Sequence, residues 1–162
     1  MDTDDSGMKG AFPVVMNPVM EHFLLFGISD DLAPVAEFER SVWRFCPDRY
    51  SRDFVLDVIR QFTESGYIRL GAFPGGGKLW EPWDVSIDEG IHRVATGYNN
   101  VSGYLEIRED QIGSSEIFRA EITDQGRKRL ELLGNPYEKY GDPWHDDPYL
   151  TAEEWGYPPY HG

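Results

Sequence analysis

The 162-residue chain reads as an α+β domain: three helices, then a small antiparallel sheet, then a closing helix. Three observations predict this. Apolar residues recur at helical spacing three times between residues 17 and 65, each run bounded by a cap and a stop. From residue 67 the pattern changes to short extended runs separated by glycine, serine and proline. Thr123-Asp124 then restarts a helical pattern that Gly134-Asn135-Pro136 ends.

The first helix opens at Asn17-Pro18, an N-cap with proline at the first helical position. Met20, Phe23, Leu24 and Ile28 form its inner face, and Gly27 is expected to fray its end. The second begins near Pro34 with Val35, Phe38, Val42 and Phe45 on one stripe. Cys46-Pro47 stops it, because proline disfavours helical geometry in the residue before it. In the third, Ser51 is the cap and Asp53 lies in the first turn. Phe54, Val55, Val58, Ile59 and Phe62 face inward, and Gly66 closes the helix. Residues 67–73, 104–107 and 116–122 read as strands, the first ended by Pro74-Gly75-Gly76-Gly77. The closing helix turns Leu130 and Leu133 inward. The 42 residues 74–115 are too many for a structureless loop in a compact domain, so they should have structure of their own and enlarge the sheet.

Two segments carry a family resemblance. Gly66-Tyr67-Ile68 resembles the glycine, aromatic, isoleucine lead into the wing of MarR- and PadR-type winged-helix proteins. Ala120-Glu121-Ile122-Thr123-Asp124-Gln125-Gly126-Arg127-Lys128-Arg129-Leu130 resembles their exit into the last helix, x-x-(L/I)-T-x-x-G-(R/K)-x-x-L. The resemblance spans roughly residues 17–134 and implies a winged-helix-like frame whose third helix would enter the major groove. On that reading Arg52, Arg60 and Gln61 on the third helix, with Arg69 and Lys78 in the wing, would contact DNA, in a regulator expected to be a homodimer. The family has a short hairpin where this chain carries the insertion 74–115. The expected organisation is therefore an N-terminal arm over 1–16, a domain over 17–134 with an extended wing, and a tail over 135–162.

Charge opposes the DNA reading. The chain has 29 acidic residues against 15 Lys and Arg, a net charge of −14, whereas phosphate binding rests on clustered lysine and arginine. The third helix is net −1, and residues 67–122 hold nine acids against five bases. Arg127-Lys128-Arg129 is the one basic cluster, and it lies on the closing helix.

Catalytic and cofactor motifs do not assemble. Pro74-Gly75-Gly76-Gly77-Lys78 lacks the glycine at 72 and the Ser/Thr at 79 of a phosphate loop, having Ala72 and Leu79 there. His22, His92, His145 and His161 are scattered, and His145-Asp146-Asp147 lies among acids and prolines. Cys46 has no histidine linked to it by motif. No enzyme activity, cofactor or metal is expected. The acidic, polar start and the absence of 18 consecutive apolar residues point to a cytoplasmic chain that does not enter a membrane.

The tail stands apart in composition. Residues 135–162 contain six acids, five prolines and seven of the 23 aromatics, where flexible acidic tails are normally poor in aromatics. Two readings follow: an extended strap covering the domain, or a binding surface of aromatic anchors steering a basic partner by charge. The expectation is a non-catalytic protein-interaction module that binds a protein with a basic surface. A concrete form is an immunity or antitoxin-type inhibitor of a basic toxin or nuclease. Trp80, Trp83 and Asp84 in the insertion, with Tyr140, Trp144 and Trp155 in the tail, are the candidate partner-binding residues. A MarR/PadR-like transcriptional regulator is the alternative.

Overall fold

A computed structural model of the chain describes residues 16–147 and 156–161. The arm as far as residue 15 and the anchor candidate Trp155 lie outside the described residues. Helix α1 spans Pro18–Asp30, and the Asn17 side chain accepts hydrogen bonds from the Val19 and Met20 amides at 2.9 and 3.0 Å. It runs straight through Gly27, which sequence reading expected to fray it. The glycine serves close approach: a Cβ there would lie 2.6 Å from Glu37 Oε2. Strand β1, Ala33–Pro34, leads into α2, Val35–Phe45, which buries Val35, Phe38 and Val42. A 3₁₀ turn at Pro47–Arg49 follows. Helix α3 spans Arg52–Glu64, with Ser51 Oγ accepting the Phe54 amide at 3.0 Å. Gly66, at φ +79°, reverses the chain into β2, Ile68–Ala72.

The insertion departs most from its expectation. It adds only the two-residue strand β3, Glu81–Pro82, to the sheet. Its main element is a helix, α4, over Ile87–Thr96, capped by Ser86 and burying Ile91, Val94 and Ala95. A hairpin of β4, Gly97–Tyr98, and β5, Val101–Ser102, follows. Its two-residue loop Asn99-Asn100 adopts φ values of 54° and 66°, the left-handed pair that matches strand twist. Residues 104–107, read as a strand, form turns. The Tyr104 and Leu105 amides bond the Val94 and Ala95 carbonyls at 2.7 and 3.0 Å, so this backbone is tied to the end of α4 and has no ladder to join. A 3₁₀ stretch at Glu109–Ser114 leads to the last strand, β6, Arg119–Ile122. It is shorter than expected because its ladders begin only at Arg119, opposite Gly71 of β2 and opposite Pro34 of β1, after which the chain turns into α2 at Val35.

The sheet is antiparallel in the order β1-β6-β2-β3, with Ala120 opposite both Ala33 and Leu70. Helix α5, Asp124–Leu133, is capped by Thr123, whose Oγ1 accepts the Gly126 amide at 3.0 Å. Gly134 ends it as expected, but Asn135-Pro136 immediately starts a short helix, α6, Pro136–Tyr140. The fold is thus mixed α+β, with six helices, a four-stranded antiparallel sheet and a two-stranded hairpin among the described residues.

Gly126 sits where a Cβ would meet Tyr67 O at 2.4 Å and Ile122 Cγ1 at 2.8 Å. Gly126→Ala is therefore expected to cost about 1–3 kcal/mol in urea unfolding, whereas the exposed Lys128→Ala control should stay within about 0.5 kcal/mol.

Candidate functional site

The residues proposed to meet DNA are engaged within the protein. Arg52 donates to the carbonyls of Tyr104 and Ile107 at 2.7 and 2.6 Å. Arg60 pairs with Asp88 of the insertion at 2.6 Å and with Glu64 at 3.7 Å. Gln61 Nε2 donates to Ser65 Oγ at 3.3 Å, and Arg69 pairs with Glu121 on the neighbouring strand. Lys78 alone of this set extends from an exposed glycine turn. Helix α4 packs on α3, and the most exposed residues of α3 are Asp53, Asp57 and Glu64, of which Glu64 is paired with Arg60 and Asp57 is partly desolvated, which raises its pKa. This surface offers carboxylates where a DNA reader offers guanidinium groups.

Beneath it lies a polar rivet. Glu39 of α2, buried, accepts hydrogen bonds through one oxygen from the hydroxyls of Tyr50, at 3.0 Å, and Tyr104. Burial first, then the hydrogen bonds to Glu39, push both phenols above the ordinary tyrosine value. They stay protonated donors. The Arg52 guanidinium lies 5.3 Å over the Tyr104 ring, so α2, α3 and the insertion meet at this point. Tyr104 is fully buried, so the group fastens the fold and offers nothing to a substrate.

Trp80, Trp83 and Asp84 lie together on the insertion. Trp80 Nε1 donates to Arg119 O at 3.1 Å, and its ring covers Gly71, where a Cβ would be 2.5 Å from Trp80 Cζ2. Trp83 is half-buried, its amide bonded to Leu70 O at 2.9 Å and its ring edge-on to Tyr98 at 5.6 Å. Asp84 is exposed. Most of the exposed large apolar side chains among the described residues belong to this stretch: Phe73, Leu79, Val85, Tyr98, Val101 and Leu105. Between them stand Glu81, Asp84, Asp88 and Glu89. Lys78 and Arg93 stand there too, with Arg93 over the Trp83 and Tyr98 rings and paired with Glu89. Exposed apolar side chains concentrated in one segment mark a candidate interaction site.

Tyr140 and Trp144 lie elsewhere, on α1 and α2. With Tyr137, Tyr157 and Tyr160 they pack against Phe23 and Phe45, which is the strap arrangement for the described part of the tail. Trp144 also lines a groove of about 780 Å³ with Arg40, Trp43, Arg44, Pro143, Asp146 and Asp147. Trp43 is 49 % exposed and stacks on Tyr50 at 4.2 Å. Sequence reading passed over it, although a tryptophan off the apolar stripe of α2 is itself a signal. Phe73, Tyr98 and Val101 were passed over because their exposure depends on how the insertion folds.

Among the described residues, no group of three or more His, Cys, Asp or Glu is placed to hold a metal ion, and no helix is long and apolar enough to cross a membrane. Neither a protein-family model, nor a curated protein, nor a solved structure matches this chain.

His22 joins the strap to the domain. It is fully buried, its Nε2 lies 2.7 Å from Gly134 O, and its Nδ1 has no partner among the described residues. Burial holds its pKa below 6.5, aided by Lys139 and Arg129 and opposed by the Gly134 carbonyl and Glu21. The unfolded chain therefore takes up this proton more readily than the folded one, and stability from this group is full above about pH 6.5 and falls below it. Between pH 7.5 and pH 5.0 the wild type is expected to lose about 2–4 °C more in Tm than His22→Gln, whose amide can still donate to Gly134 O. Calorimetric melts at both pH values check this.

Proposed function

We propose that this chain is a non-catalytic, acidic protein-interaction module on a winged-helix-like frame, acting as an inhibitor of the immunity or antitoxin type. One observation carries the reading: the most exposed side chains of α3 are Asp53, Asp57 and Glu64, while the insertion packs over it and carries most of the exposed large apolar side chains among the described residues. The strand order β1-β6-β2, with three helices before β2 and α5 after β6, supports the frame. On such a frame α3 occupies the position of a recognition helix. Carboxylates there suit a basic partner, such as the phosphate-binding surface of a nuclease. Charge of this sign raises the rate of encounter, and apolar rings slow release. The DNA-regulator alternative would have to work with Lys78 and with arginines already engaged, Arg52 by backbone carbonyls and Arg60 and Arg69 by carboxylates at the surface.

The test pairs affinity capture from the source cell with a DNA-shift assay at about 150 mM salt. A basic protein is expected to be captured and DNA not shifted. Replacing Asp53, Asp57 and Glu64 by lysine should slow association about tenfold or more at low salt. Tyr98→Ser should speed dissociation without changing Tm. Salt-sensitive DNA binding with no protein partner would reverse the reading.

A further inference from the structure

Between Phe73 at the end of β2 and the β4–β5 hairpin lies a half-enclosed cavity of about 140 Å³, below the roughly 300–1,000 Å³ of small-molecule pockets and suited to a single side chain. Phe73, Trp83, Tyr98 and Val101 are its apolar lining, and Glu81 and Glu116 line it as well. Trp83 and Tyr98 pack edge to face with centroids 5.6 Å apart, and Phe73 and Tyr98 are 45 % and 42 % exposed.

The same two rings already hold a cation. The Arg93 guanidinium lies 3.9 Å from the Tyr98 centroid and 5.3 Å from that of Trp83, neutralised by Glu89 at 3.3 Å, and it does not line the cavity. Glu116 is paired with Arg119, whereas Glu81 is exposed and has no ion pair among the described residues. Aromatic side chains beside a carboxylate that has no ion pair are the chemistry that holds an ammonium group.

We propose that this cavity receives a lysine side chain of the protein partner, its methylenes against Phe73 and Val101 and its ammonium between the rings and Glu81. This rests on the interaction-module reading and names the residue type that the module grips. A compact ammonium suits a small cavity better than a planar guanidinium, and the two carboxylates exclude an acidic side chain.

The probes are the Nα-acetyl amides of lysine, arginine and norleucine, titrated into the full chain and followed by the backbone N–H resonances of Trp83 and Tyr98 and the indole N–H of Trp83. Lysine is expected to bind saturably with Kd of about 1–10 mM, and norleucine and arginine at least tenfold more weakly. Glu81→Gln should weaken lysine at least threefold while leaving norleucine unchanged, and Tyr98→Leu, at an exposed position, should remove lysine binding without loss of fold. Norleucine binding as well as lysine, arginine binding better, or Glu81→Gln having no effect would each overturn the assignment. Partner capture that persists after such a failure leaves the module reading standing. Probe binding with DNA shifted and no protein captured sinks that reading and keeps the ammonium site.

Discussion

Glu39 places a carboxyl group in the interior, where an unsatisfied polar group costs several times what its hydrogen bonds return. Two tyrosine hydroxyls satisfy it, one from the 3₁₀ region after α2 and the other from residue 104, far along the insertion. Because Tyr104 must reach Glu39, the insertion is drawn over α3. Arg52 fixes the same segment from the other side by donating to the carbonyls of residues 104 and 107. The segment between β2 and β6 is consequently a covering layer and not a free hairpin.

That covering decides the electrostatics. Arg60, which would face outward on an isolated α3, meets Asp88, and Arg69 meets Glu121 across the sheet. Exposed pairs of this kind contribute little stability. Their larger effect is to offset the positive charge of this face and leave Asp53 and Asp57 without an ion pair among the described residues. Net charge over the whole chain conceals this, since the pairing determines which charges are left uncompensated at the surface.

At the opposite end, aromatic packing binds the described tail to α1 and α2. Phe23 is the centre, with Phe45 stacked on it at 5.3 Å and Tyr137 edge-on at 5.1 Å. Backbone hydrogen bonds between Asp142 and residues 158 and 160 pin the strand-like end of the tail. The rings that composition singled out as anchors therefore divide: Tyr140 is committed to the interior packing, and Trp144 packs there while also lining the groove beside Trp43.

Local chemistry was enough to read the first three helices, the closing helix and their caps, since Asn17, Ser51 and Thr123 act on amides two or three residues away. It was equally enough for the strands β2 and β6 in outline. Helix α4 was legible but unread: Ser86 precedes acids at 88 and 89 and apolar residues at 87, 91 and 94, a capped amphipathic pattern hidden inside an expected loop. The fate of residues 104–107 was not legible, because their alternation suits a strand and only the nearby end of α4 claims their backbone groups. The sequence by itself determined an acidic α+β chain with aromatics in its tail. The tertiary structure alone decided that Arg52 is held by backbone carbonyls and Arg60 by Asp88, that Trp83 and Tyr98 pack edge to face beside a cavity, and that acids are the most exposed side chains of α3. The physical reason is range: caps and periodicity act over a few residues, whereas these pairings join groups 28 to 55 positions apart, 15 in the case of the two rings.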